Sequence, residues 1–273
     1  MYKSKSIFRY VGSKSKPQAR EAIGRALPDK YSEFRECFVG GGSIFFATPA
    51  SKRRWVNDLH PELIAVYQAL RDRPEEFIAL CNAISSENEI DLRSQFKRLL
   101  EDESFDPAVR YFILNRLSFN GRVRLDSAYR HRTFFSNPKG LNILNTGRLQ
   151  IASEILQDVT ITCLDFEHVF DAAGEDVLVF ADPPYVRDTK LSPSSKLYQK
   201  GFTVEDHHRL KSCVDRCPHN VLLTYDDDPM IRELYRQYEI TQATWTYTGN
   251  TKRIAGRELI ITNYERSPKV EVD

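Results

Sequence analysis

The residues best suited to chemistry are Ala181-Asp182-Pro183-Pro184-Tyr185, which directly follow the apolar run Val177–Phe180. Consecutive prolines cannot continue a strand ladder, and each restricts the residue before it. The stiff corner they make fixes the Asp182 carboxylate and the Pro183 carbonyl as convergent acceptors, with the Tyr185 ring beside them. Two acceptors and an aromatic face suit a planar, conjugated amine. The acceptors hold its N–H groups and the ring stacks on the heterocycle. A rigid turn with no ligand is the competing explanation.

A second set lies upstream in Phe38-Val39-Gly40-Gly41-Gly42-Ser43. Glycines let the backbone turn sharply and approach a ligand closely. The absence of a following Gly-Lys-Ser or Gly-Lys-Thr excludes a P-loop. Asp58, in Trp55-Val56-Asn57-Asp58-Leu59, comes at the spacing at which doubly wound folds place an acid on a nucleoside ribose. Asp58 capping a helix that begins near Pro61 is the alternative. The pair points to a nucleoside-bearing cofactor.

The elements that must position these residues can be read from apolar periodicity. Short β-rich runs occur at Glu36–Val39, Trp55–Asn57, Thr160–Leu164, Val177–Ala181, Asn220–Thr224, Glu239–Thr246 and Glu258–Asn263. Helical patterns lie between many of them, at Ser15–Leu27, Ser43–Thr48, Pro61–Arg71, Gln150–Leu156, Val204–Cys217 and Pro229–Tyr235. Strands alternating with helices predict an α/β fold, a doubly wound and mostly parallel sheet. The last two strands follow one another through a turn at Gly249-Asn250 and are expected to pair antiparallel. Residues 73–148 break the alternation. Helical patterns at Pro74–Ser85, Leu92–Glu101 and Pro107–Leu117 lead into a basic, aromatic, turn-rich stretch. The expected organisation is therefore one domain from residues 1–72 and 149–273, with 73–148 inserted as a mainly helical lobe.

Charge is balanced over the 273 residues, 39 basic against 38 acidic, but it is segregated. Residues 1–20 sum to +6, residues 110–148 to +7, and the remainder to −12. That distribution predicts a local polyanion-binding surface on an otherwise acidic protein. The 41% hydrophobic content excludes a disordered chain, and no apolar run approaches a bilayer span. No apolar stretch with a cleavage site follows Met1–Lys5, so no signal peptide is expected. Cys37, Cys81, Cys163, Cys213 and Cys217 are odd in number and complete no zinc pattern with histidine. Reduced cytosolic thiols and no metal are expected.

These motifs resemble the Dam-type DNA adenine-N6 methyltransferases. The resemblance rests on Asp182-Pro183-Pro184-Tyr185, the Phe38–Ser43 turn, Phe8-Arg9-Tyr10-Val11-Gly12-Ser13-Lys14, Asn115-Arg116-x-x-Phe119-Asn120-Gly121, Leu164-Asp165-Phe166 and Phe202-Thr203-x-x-Asp206-His207-x-x-Leu210. The order of the motifs also matches, and the similarity covers nearly the whole chain. Tyr10, Ser13 and Cys37 depart from the family, which often has tryptophan, glycine and proline there.

The resemblance implies a Rossmann-like methyltransferase fold and S-adenosylmethionine as cofactor. Tyr10 and Lys14 would lie near it, with Phe38, Gly40, Gly42 and Ser43 under its methionine part. Asp58 would take the ribose, and Asp165 and Phe166 the adenine. Lys14 touching DNA phosphate is a competing role. Asp182, with Pro183, Pro184 and Tyr185, would grip the N6 amine of an adenine flipped from double-stranded DNA. Non-planar acceptors favour a localised nitrogen lone pair, so positioning and electrostatics can carry the rate. The leaving proton goes to water or to Asp182. Cytosine N4, RNA adenine, and an inactive DNA-binding relative are the alternatives.

The inserted lobe would then recognise DNA through Arg116, Asn120, Arg122, Arg124, Arg130 and Arg132. At least two of Phe119, Phe134 and Phe135 are expected in its core. The Gly201-Phe202 turn and the loop Arg187–Lys200 are expected to form a mobile flap over the site. A chain of this size is expected to act as a monomer, with a dimer left open, in the cytoplasm of a bacterium or from a phage. Restriction–modification, replication control and phage protection all remain compatible.

Overall fold

The strand Val177–Ala181 is buried along its whole length, and its residues divide between two apolar clusters. Leu178 and Phe180 join one; Val177, Val179 and Ala181 join the other. Period-two alternation between two buried layers is the mark of a sheet covered on both faces. The computed structural model describes residues 6–10, 12–49, 51–85, 89–125, 130–136, 145–186, 202–248 and 253–265.

In chain order the elements are α1 (Pro17–Ala26), β1 (Glu33–Glu36), β2 (Arg53–Asn57), α2 (Pro61–Asp72), α3 (Pro74–Ser85), α4 (Glu89–Glu101), α5 (Pro107–Leu117), α6 (Thr146–Leu156), β3 (Val159–Thr162), α7 (Phe166–Asp171), β4 (Val177–Ala181), α8 (Val204–Arg216), β5 (Asn220–Asp226), α9 (Pro229–Leu234), β6 (Glu239–Thr248) and β7 (Arg253–Thr262). Phe119–Gly121 and Arg130–Arg132 are single 3-10 turns. Among the described residues one seven-stranded sheet forms, in the order β3-β2-β1-β4-β5-β7-β6. The first five are parallel, and β7 runs antiparallel to both β5 and β6.

The strand order reverses between β1 and β4. At such a switch point the connections leave in opposite directions, and a crevice opens beyond the carboxyl ends of the two strands. The glycine turn leaves β1 there, and Asp182 leaves β4. Ile23 of α1, the apolar stripe of α2, and residues of α3, α5 and α6 cover one face. Val169 of α7, Leu210, Cys213 and Val214 of α8 and Ile231 of α9 cover the other. Phe77, Cys81, Phe96 and Phe112, from the stretch expected to form an inserted lobe, share one apolar cluster with α2 and the sheet. Among the described residues no helix is long and apolar enough to cross a membrane.

Three local expectations are corrected. The first strand is Glu33–Glu36 instead of Glu36–Val39. Its charges disguise it: Arg35 is fully buried, pairs with Glu33 at 2.6 Å, and donates to the carbonyls of Val169, Ala172 and Ala173. Residues 43–48 are buried turns, not a helix: the segment leaves Gly42 at φ +66°, and its bonds mix the i−4 spacing of Phe46 N–H to Gly42 O and Thr48 N–H to Ile44 O with the i−3 spacing of Ala47 N–H to Ile44 O. Of the three phenylalanines, Phe119 and Phe134 are 48% and 64% exposed. Only Phe135 packs, edge-on against Phe96 at 5.4 Å. The antiparallel β6–β7 pair is as expected. The Gly249-Asn250 turn and, in the flap, Arg187–Gly201 lie outside the described residues.

Candidate active site

Asp182 stands one residue beyond β4 with its side chain 21% exposed. Lys14 Nζ, 2% exposed, spans both of its oxygens at 2.7 and 2.6 Å and also donates to Gly12 O at 3.2 Å. The Thr224 hydroxyl donates to Asp182 Oδ1 at 2.6 Å, and the Tyr185 hydroxyl lies 3.1 Å from the same oxygen. Oδ1 is therefore crowded with donors. Among the described residues Oδ2 accepts from Lys14 alone.

The glycine turn faces this pair across a cavity of about 320 Å3. Gly40 and Gly42 have φ of +44° and +66°, which side chains on L-residues disfavour. A Cβ on Gly40 would lie 2.8 Å from the Tyr10 ring. Asp58 fastens the turn from below: its Oδ2 accepts the Gly40 N–H at 2.9 Å and its Oδ1 the His60 N–H at 3.1 Å. The cap of α2 is His60, whose ring accepts the Leu63 N–H, so Asp58 is not the helix cap. Burial raises the Asp58 carboxyl above its usual range. The Ser13 and Ser43 hydroxyls meet at 2.5 Å, joining the N-terminal segment to the turn.

The far wall is aromatic. Phe38, Phe166 and Phe202 form a triangle with centroid separations of 5.6, 5.8 and 5.9 Å. Asp165 caps α7 by accepting the Glu167 N–H, and Arg209 binds Asp165 at 3.0 Å while lying 4.9 Å over the Phe166 ring. Glu36, at the end of β1, also lines the cavity; it is buried, and among the described residues its Oε2 has no hydrogen-bond partner. Burial, reinforced by the Asp182 charge, pushes its carboxyl well above the usual range.

The expected residues therefore converge. Tyr10, Lys14, Phe38, Gly40, Ser43, Asp58, Asp165, Phe166, Asp182 and Pro184 all line the one cavity. Gly42 shapes the turn from behind. Pro183 is buried, and Tyr185 lies under Lys14, its ring 5.0 Å from the ammonium and its hydroxyl donating to Glu258. Of the basic set, Arg122 lines the cavity beside Gly121 and Val123. Asn120, at φ +54°, and Arg122 are exposed, and Arg124 is half-buried. Arg130 is drawn to Glu103 at 3.0 Å. Arg116 is held down to about 10 by burial and by the charges of Arg9 and Arg148. The backbone of Arg132 is described and its side chain is not. Among the described residues no group of His, Cys, Asp or Glu is placed to hold a metal ion.

Sequence reading placed Phe202 over the site but missed Glu36, Arg209, Thr224 and Glu258. Phe202 and Arg209 sat within a quoted motif whose Thr203–Asp206 capping box starts α8. Thr224 and Glu258 had no local signal, since only the pairing of β4 with β5 and of β5 with β7 brings them beside Asp182.

A family model for D12 class N6 adenine-specific DNA methyltransferases matches residues 10–249. The type II methyltransferase M1.LlaDCHI of Lactococcus lactis subsp. cremoris is 30% identical over 263 residues, covering 91% of this chain and 92% of that protein. A DNA adenine methylase of Vibrio cholerae serotype O1 is 27% identical over 265 residues, covering 92% of each. A DNA N-6-adenine-methyltransferase of Escherichia phage P1 is 29% identical over 240 residues, covering 85% of this chain and 31% of the phage protein.

Proposed function

The chain belongs to the D12 class N6 adenine-specific DNA methyltransferase family, and from that membership we propose how its own residues carry out the reaction. The reaction is site-specific methylation of adenine N6 in DNA. We propose that the donor is S-adenosylmethionine, that the substrate is double-stranded DNA, and that the protein works as a cytoplasmic monomer.

The observation that carries this reading is the convergence of the glycine turn, the acid after β2 and Asp182 on one cavity. Its chemistry suits a cationic nucleoside. Asp58, Asp165, Asp182 and Asp206 line it, against Arg122 and against Lys14 and Arg209, which are matched to carboxylates. The unpartnered Glu36 Oε2 offers a polar contact within it. When bound, S-adenosylmethionine supplies a methyl group activated by its sulfonium. Tyr10, Lys14 and the Phe38–Ser43 turn would hold the amino-acid part, Asp58 the ribose, and Asp165 with Phe166 the adenine.

Asp182 Oδ2 would accept one N–H of the target amine and the Pro183 carbonyl the other. Holding both out of plane localises the nitrogen lone pair, and the carboxylate stabilises the positive charge that grows on nitrogen. A side chain this recessed cannot reach N6 within a stacked duplex, so the base must be extruded. Pro184, which lines the cavity, would pack against it, with Tyr185 backing the site from beneath Lys14. Functionally, residues 1–72 and 149–273 would supply catalysis and 73–148 recognition, with Arg116, Asn120, Arg122, Arg124, Arg130 and Arg132 on DNA.

The test is to incubate the protein with unmethylated duplex, with and without S-adenosylmethionine, and to identify the modified nucleoside by mass spectrometry. N6-methyladenine formed only with the donor is expected. N4-methylcytosine, or modification of RNA alone, would overturn the reading.

A further inference from the structure

The reading above, on which this inference rests, gives Glu258 no task. Yet this residue of β7 is 1% exposed and carries a carboxylate into the core beside the reacting groups. Its Oε2 accepts the Tyr185 hydroxyl at 2.7 Å and lies 3.7 Å from Lys14 Nζ. Tyr185 and Lys14 in turn both reach Asp182. The four side chains close a ring in which one ammonium faces two carboxylates.

A tyrosine hydroxyl has one proton to donate. The shorter contact assigns that proton to Glu258, which leaves the contact at 3.1 Å to Asp182 the weaker one. Burial and the two neighbouring carboxylates hold the Tyr185 hydroxyl in its protonated form. Lys14 is then the group that decides how much of Asp182 is available. While it bridges both oxygens, it competes with any incoming amine for Oδ2. Its separation from Glu258 is beyond a hydrogen bond but within an ion pair, so a shift of under about 1 Å would convert one into the other.

We propose that Glu258 is a positioning residue: a second counter-ion that shares Lys14 with Asp182, so that Lys14 moves toward Glu258 and frees Asp182 Oδ2 for the target amine. In a buried site with little water, an ammonium leaves one carboxylate readily only if another receives it. Without the Glu258 charge, Lys14 stays on Asp182 and the acceptor stays occupied.

The experiment compares wild type, E258Q, K14Q and the double variant in single-turnover methyl transfer to duplex DNA. Glutamine keeps the shape and an acceptor for the Tyr185 hydroxyl. E258Q should lose about tenfold or more in the single-turnover transfer rate constant, with donor Kd and DNA Kd within about twofold of wild type. In the K14Q background the same change should cost less than about twofold, because its route is gone. E258Q matching wild type, or a full tenfold loss persisting without Lys14, overturns the proposal. D182N is run alongside: an active D182N overturns the reading of Asp182, whereas an inactive D182N with an unchanged E258Q removes Glu258 alone. Should the Glu258 variants not fold, a crystal structure of wild type with target duplex and a non-transferring donor analogue decides. Lys14 within about 3.2 Å of Glu258 and off Asp182 Oδ2 is expected, and an unchanged bridge on Asp182 refutes the proposal.

Discussion

Asn115 grips Arg9 from both sides: its Oδ1 accepts the Arg9 N–H at 3.1 Å and its Nδ2 donates to the Arg9 carbonyl at 2.9 Å. The same Nδ2 donates to Gly121 O at 2.9 Å, and a Cβ on Gly121 would lie 2.1 Å from Arg9 O. The segment that carries Tyr10 and Lys14 is thus lashed to the segment that carries Asn120, Arg122 and Arg124. Asn115→Ala strands buried backbone groups and should cost about 1–3 kcal/mol. At about 2–4 °C per kcal/mol for a chain approaching this size, the loss is plain in thermal unfolding. Asn115→Asp keeps the acceptor but loses both donations, and should cost no less. A melting temperature unchanged in both variants would show that the tie is not holding the two segments.

Asp182→Asn preserves shape but removes the charge and turns one acceptor into a donor facing Lys14. Losing a preorganised group of this kind costs roughly 10²–10³ in kcat. DNA affinity, measured by anisotropy, should stay near wild type because Asp182 is recessed from the basic surface. Turnover near that of wild type would remove Asp182 from the chemistry.

Gly40→Ala tests the glycine turn. Its φ of +44° disfavours any side chain, and the new Cβ would press on the Tyr10 ring at 2.8 Å. The backbone penalty alone is about 1–2 kcal/mol. Donor affinity by calorimetry should fall about tenfold. Gly147→Ala is the control: nothing lies nearer than 3.7 Å, and it sits in the first turn of α6. It should stabilise slightly, as glycine-to-alanine changes in unstrained helices do, and leave donor affinity alone. Equal donor affinity in G40A and wild type would mean that the turn does not touch the ligand.

How much of this was legible follows from where each signal was stored. The Asp182 corner and the glycine turn are local: prolines and glycines declare the backbone they need within a few residues. The parallel sheet was legible because strands buried on both faces, such as Val177–Ala181, read as unbroken apolar runs. β1 was misplaced because Glu33 and Arg35 cancel each other in the interior, and hydropathy cannot see a pairing. Residues 43–48 kept a helical spacing of apolar side chains, yet the left-handed Gly42 starts them as turns. Thr224 and Glu258 were invisible for a different reason. Their nearness to Asp182 is created by strand order, which no short window of sequence contains.

His207 supplies a pH test. It is fully buried, its Nδ1 is 2.9 Å from the Tyr225 hydroxyl, and its ring stands edge-on to Phe202 at 4.8 Å. Burial holds it down at about 4, below its ordinary 6.5. Between those values the unfolded chain binds the extra proton and the folded chain does not. Stability from this group is therefore complete above about pH 6.5 and is lost as pH falls toward 4, by up to about 1.4 kcal/mol per pH unit. His207→Gln should flatten that part of the curve in urea unfolding between pH 7.5 and 4.5. Identical slopes for variant and wild type would contradict it.

Arg122 and Arg130 should differ as DNA contacts, although sequence alone treats them alike. Arg122 is exposed and lines the cavity, so its charge is free to meet a phosphate near the extruded base. Arg130 is already matched to Glu103 at 3.0 Å, and binding DNA must break or share that pair. Each phosphate neutralised contributes about 0.9 to the slope of log K against log salt on duplex DNA. Arg122→Glu should therefore weaken binding most at low salt and flatten the slope by about one contact or more. Arg130→Glu should do less, because the charge it removes was partly cancelled. Anisotropy titrations of a labelled duplex between roughly 50 and 200 mM salt measure both slopes. A slope for R122E equal to that of wild type would place Arg122 off the DNA. A larger effect for R130E would mean that Glu103 releases its arginine on binding.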